Sequence, residues 1–176
     1  ISAKTLQLAT TAHSGSFDVI EDVTLTDVNR LVIANGTGSV TVDGHIFVNQ
    51  AASQVTMSNS GGNITLNGDF FGDAITTGAA GQVTLNNSAG SVLVNGNVDA
   101  SPTGAVAITA AGTGSATGSG VITASTLSVN AKNGISLDGA NNNGNVVSTA
   151  TLTNTTGGVG GGSTSILYAS DIGAGN

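Results

Sequence analysis

Chemistry in this chain would have to come mainly from its carboxylates, since it carries ten acids against three strong cations, two histidines and no cysteine. The acids are Asp18, Glu21, Asp22, Asp27, Asp43, Asp69, Asp73, Asp99, Asp138 and Asp171. Glycoside cleavage needs two carboxylates held about 5 to 10 Å apart across a sugar. Asp69 and Asp73 fall in one short segment, and Asp99 follows at a distance that would set it about one repeat above Asp69. That trio is the candidate for a catalytic pair. The competing reading is that Asp in Gly-rich loops caps turns and keeps the chain soluble. We adopt the second reading and assign no catalytic residue.

Asp43, Asn67, Asn95 and Asp138 each stand just before a glycine. Such a column would offer oxygen ligands to calcium. It mixes acid with amide, however, and lacks the dense Gly-Gly-x-Gly-x-Asp pattern of calcium-binding rolls. A corner-forming Asx residue stacked on its counterparts accounts for it better. His13 and His45 are isolated, with no second ligand-type residue at metal spacing, so no zinc site is expected. The Gly157 to Gly162 stretch has neither the lysine nor the helix of a phosphate loop. The chain is therefore read as non-enzymatic, with no metal and no cofactor.

The elements that would position these residues are written in a repeated phrase. It reads Gly62-Asn63-Ile64-Thr65-Leu66-Asn67-Gly68, then Gly90-Ser91-Val92-Leu93-Val94-Asn95-Gly96, then Gly134-Ile135-Ser136-Leu137-Asp138-Gly139, with a looser copy from Gly38 to Gly44. Upstream of each copy lies an apolar-x-apolar pair, ending at Ile33, Met57, Leu85 or Val129, and looser pairs end at Leu8, Ile108 and Leu152. These markers recur at roughly 21 to 28 residues, with a mean of about 24, the range in which periodicity means a solenoid. Apolar spacing of two within a repeat marks half-buried strands. Asn35-Gly36-Thr37-Gly38, Asn59-Ser60-Gly61-Gly62, Asn87-Ser88-Ala89-Gly90 and Asn130 to Gly134 read as corners between them. Ile46, Phe70 and Val98 supply a third apolar position after the closing glycine.

Two or three short strands per repeat, joined by corners, predict an all-β fold: a parallel β-helix, or β-solenoid, of about 6–7 rungs. An antiparallel meander also spaces strands by turns. It gives no reason for the same phrase to return in the same order with its Gly and Asn columns kept. Stacking does, placing each rung about 4.8 Å above the last, for a rod on the order of 30 Å. Residues 1–159 form the expected repeat domain and residues 160–176 a Gly-rich lead with a strand segment, Ser163 to Ala169, that would close the last rung.

Composition narrows the partners. With Lys4, Arg30 and Lys132 the only strong cations, phosphate neutralisation is out of reach, which excludes nucleic acid and anionic membrane surfaces. No apolar run approaches a membrane span. Abundant Ser, Thr and Asn suit neutral glycans, protein surfaces or water. One outward column, Val32, Thr56, Thr84, Ala107, Ser128 and Thr151, invites comparison with an ice-binding face, but its rows are mixed and read as an ordinary polar surface. The start at Ile1, in mid-pattern, suggests a piece of a longer protein.

On the phrase Gly62 to Gly68, together with Thr126-Leu127-Ser128-Val129-Asn130-Ala131, the sequence resembles the filamentous haemagglutinin-like family of large bacterial exoproteins and adhesins. The likeness is one of repeat style and runs from about Leu6 to Val159. It implies a right-handed parallel β-helical shaft, secreted to the extracellular space or cell surface. The family's secretion domain carries Asn-Pro motifs, whereas the only proline here is Pro102, after Ser101. The resemblance thus implies shaft and not targeting domain. The expected function is a structural or adhesive rod, with neighbouring repeats, end-to-end copies, glycans or host and cell-surface proteins as partners. A β-helical enzyme or binding module for neutral polysaccharide, and a self-assembling filament subunit, are the alternatives.

Overall fold

The computed structural model describes residues 5–8, 11–139, 144–155 and 166–168. Alternating Val, Ile, Leu and Thr make its strands, and Gly and Asn end them. The first coil is β1 (Thr5–Leu8), β2 (Phe17–Val19) and β3 (Val23–Leu25); the second is β4 (Arg30–Ala34), β5 (Val40–Val42) and β6 (Ile46–Val48). The third is β7 (Gln54–Asn59), β8 (Ile64–Leu66) and β9 (Asp73–Thr77); the fourth is β10 (Gln82–Asn87), β11 (Val92–Val94) and β12 (Asn97–Asp99). The fifth runs through β13 (Ala105–Ala110) and β14 (Ala116–Gly118) into β15 (Ile122–Ala131), whose first residues complete it and whose later ones open the sixth. After β16 (Ile135–Leu137), β17 (Val146–Asn154) rounds the same corner, and β18 (Ile166–Tyr168) follows.

Every pairing between these strands is parallel and joins one coil to the next. The fold is a β-solenoid of about 6 turns with coils of about 23 residues, so the expected architecture holds. The sequence markers form one unbroken column: Leu8 lies on Ile33, then Met57, Leu85, Ile108, Val129 and Leu152. Ile64 lies on Val92 in adjacent parallel strands. Each coil has three faces. Two of them merge into one 11-stranded sheet because β15 belongs to both, and the third is a 7-stranded sheet from β2 to β18. In that sheet β18 pairs with β16, Ile135 beside Ile166, so the tail strand closes on its own solenoid. The Gly157–Gly162 lead and Asp171 lie outside the described residues.

The interior is a narrow aliphatic stack. Ile33, Met57, Leu85 and Ile108 from one face meet Val40, Ile64 and Val92 from the second and Ile46, Ile75, Val98 and Ile122 from the third, all buried. Removing such a side chain from water stabilises by about 1.5–3 kcal/mol. Where the first face turns into the second, Asn35, Asn59 and Asn87 are buried one above another. Asn87 shows their role: its Nδ2 donates to the carbonyls of Gly62 (2.7 Å) and Ser91 (3.0 Å), and its Oδ1 accepts from the amides of Ala89 and Gly90. In the next two coils Ala110 and Ala131 occupy this column. The corner expected at Asn130 therefore begins one residue later, because Asn130 points outward within β15.

Candidate functional site

The three carboxylates singled out for catalysis are spread over two coils. Asp99 lies beside Thr76, and Asp73 lies beside Asn97. The expectation that Asp99 stacks over Asp69 is corrected, because Asp69 belongs to a loop that the neighbouring coils lack. In the fourth coil Gly96 leads directly into β12 at Asn97, whereas in the third Gly68 is separated from β9 by Asp69, Phe70, Phe71 and Gly72. One further residue, Ala74, is absorbed by a bulge in β9. These acids are engaged by local donors. Asp69 Oδ1 accepts from the amides of Phe71 (2.9 Å) and Asp73 (3.0 Å), Asp73 Oδ1 from Asn97 Nδ2 (3.1 Å), and Asp99 Oδ1 from the Ser101 amide (2.8 Å). They hold turns and rungs together.

The same insertion overturns a second expectation. Spacing alone puts Phe70 in the inward column with Ile46 and Val98, but Ile75 takes that position, pairing with both. Phe70 is 98% exposed and Phe71 82% exposed, their rings meeting edge to face at 5.6 Å. Gly68 and Gly72 close the loop with φ of 82° and 90°, conformations in which a side chain is strained. The Asp69 amide donates to the Asp73 carbonyl (2.9 Å) and the Gly72 amide to the Asp69 carbonyl (3.0 Å). Beside the phenylalanines, Ile20 is 71% exposed. Together with Glu21, Asp22, Asp43, Gly44 and Asp69 they line a shallow groove of about 230 Å³. The sequence signal for this feature was the long step from Met57 to Leu85, with a Phe doublet between glycines inside it.

Three members of the Asx column, Asp43, Asn67 and Asn95, stack in successive coils. Asn67 Nδ2 donates to Asp43 Oδ1 (2.8 Å) and Asn95 Nδ2 to Asn67 Oδ1 (3.0 Å), along the outside of the corner. His13 Nδ1 lies 2.7 Å from Asn35 Oδ1 and His45 Nε2 lies 2.9 Å from Thr76 Oγ1, so each imidazole bonds to a neighbouring coil. Among the described residues no three of His, Cys, Asp and Glu gather into a group that could hold a metal ion, and no helix is long and apolar enough to cross a membrane. A second groove, lined by Ser101, Pro102, Thr123, Ala124 and Val146, lies on the third face. The row Val32, Thr56, Thr84, Ala107, Ser128 and Thr151 is in register, but only Thr56 and Thr84 are adjacent threonines.

No protein-family model matches this chain, and no curated protein or solved structure matches it either.

Proposed function

We propose that the chain is a non-enzymatic β-helical rod of a bacterial extracellular adhesin or surface filament, serving as spacer, scaffold and adhesive surface. The observation that carries this reading is the repeat mechanics: each coil pairs only with its neighbours, so the array extends indefinitely with little new information per coil. The use of Asp69, Asp73 and Asp99 as turn and rung acceptors supports a structural role over hydrolysis. The repeat-style resemblance to filamentous haemagglutinin-like shafts points the same way.

Antibodies raised against the chain are expected to label intact cells of the producing bacterium. Labelling that needs permeabilised cells would overturn the extracellular placement. For the rival enzyme, purified chain incubated with neutral polysaccharides is expected to release no reducing ends. Release that is lost in the D69N/D73N/D99N variant would replace the rod with a hydrolase.

A filament subunit is the second reading, favoured by one observation. Leu6, Leu8, Phe17, Val23 and Leu25 at one end of the solenoid, and Val147 and Leu152 at the other, are only partly buried. Further coils of a longer chain or another copy would cover them. Light scattering decides: growth of particle length with concentration supports assembly, and a constant monomer mass rejects it.

A further inference from the structure

We propose that the surface formed by Ile20, Phe70 and Phe71 docks a cationic, apolar protein segment, in which lysine or arginine side chains alternate with aliphatic or aromatic ones. The proposal goes beyond the rod reading and holds wherever the rod works.

The first ground is that the loop is built to display its rings. Gly44 and Gly96 turn the neighbouring corners without it, so closing the coil does not require Asp69 to Gly72. Asp69 nevertheless clamps it from within, its carboxylate accepting the Phe71 and Asp73 amides and its own amide donating to the Asp73 carbonyl. A clamped loop presents Phe70 and Phe71 with little ordering left to lose on binding, which favours affinity. Exposed aromatics in a rigid frame are the anchors that dominate interfaces. Ile20, two coils away in the first coil, lines the same groove, so the apolar surface reaches across three rungs.

The second ground is charge. Glu21, Asp22, Asp43 and Asp69 line the same groove, on a chain with a formal net charge of -7. Rings beside carboxylates favour a cation twice over, through the ring face and through the acids. The groove, at about 230 Å³, falls below the roughly 300–1,000 Å³ of pockets that engulf small ligands; it suits inserted side chains. A second copy of this chain is disfavoured, because a self-complementary contact would bring these acids against their own counterparts. A neutral glycan gains nothing from the negative field, and two rings at an interplanar angle of 84° offer no shared flat platform.

The test uses the whole chain and a fluorescent twelve-residue peptide of alternating lysine and leucine, followed by anisotropy. The controls are a peptide with serine for leucine, one with glutamate for lysine, and a neutral glucose hexasaccharide. The lysine–leucine peptide is expected to bind, and F70A/F71A to weaken it by at least about tenfold while circular dichroism and melting stay unchanged. E21Q/D43N is expected to weaken binding and flatten its salt dependence. Several outcomes would overturn the proposal: no binding, equal binding of the serine peptide, equal affinity in F70A/F71A, or capture of the hexasaccharide in place of the peptide. Self-association abolished by F70A/F71A would reassign the surface to a second copy.

Discussion

Asn59 and Asn87 occupy one buried column in adjacent coils, yet truncating them to alanine should have very different consequences. Asn87 makes four hydrogen bonds across the corner. At about 0.5–1.5 kcal/mol net for each bond, N87A would cost roughly 2–6 kcal/mol before compensation. Compensation is partial: Ala89 is exposed, so water can satisfy its amide, and the Ser91 carbonyl keeps the Ile64 amide as a donor. The expected loss is about 2–3 kcal/mol. Asn59 donates to the Gly62 carbonyl at 2.6 Å and to Asn63 only at 3.5 Å, and its buried Oδ1 has no partner. Removing an unsatisfied buried acceptor returns about 1–3 kcal/mol, so N59A should fall within about 1 kcal/mol of neutral. Alanine fits the site sterically, since Ala110 and Ala131 hold it in later coils. Denaturant unfolding compares the two variants. Amide exchange adds a local readout because repeat arrays need not unfold as one unit. The Ala89 and Gly90 amides should lose protection in N87A alone. If N59A destabilised as much as N87A, or if those amides kept their protection in N87A, the account of the asparagine column would be wrong.

Three further outcomes follow from the packing. L85A, at a fully buried position between Met57 and Ile108, should cost about 3–5 kcal/mol, whereas T84A on the outer side of the same strand should stay within about 0.5 kcal/mol; denaturant titration of both variants checks the inward–outward assignment. Deleting Asp69 to Gly72 should leave the solenoid folded, with an unchanged far-ultraviolet spectrum, since Gly96 joins β12 with no such loop; loss of the spectrum would mean that the loop is structural. G118A should destabilise by more than about 2 kcal/mol, because φ at Gly118 is 146° and a Cβ there would lie 2.0 Å from the Val94 carbonyl oxygen; faster amide exchange in β14 and β16 is the local readout.

The architecture was legible because solenoid stacking converts sequence period into spatial adjacency. Residues at one position in successive phrases, such as Ile64 and Val92, had to become vertical neighbours. The stacked Asx corner was legible for the same reason. Phe70 and Asp99 were misplaced because counting along the chain assumes equal coils. An insertion lying wholly outside the rung leaves every inward column intact while shifting the count by several residues, so periodicity alone cannot show where it sits. The conformational clue was present in Gly68 and Gly72, but glycine pairs also bracket ordinary corners. The continuation of β15 and β17 around a corner has no counterpart in the repeated phrase, because the strands run straight through Ser125 and Ser148, a residue type common in turns.

The axial direction of the ladder has a mechanical meaning. Hydrogen bonds between coils run along the rod, so tension applied at its two ends opens a coil by peeling it from the next. Each coil of about 23 residues occupies about 4.8 Å of the axis when stacked and spans roughly 80 Å when drawn straight. A tether built this way is stiff under small loads and yields about sixteenfold in length, one coil at a time, before any covalent bond is strained.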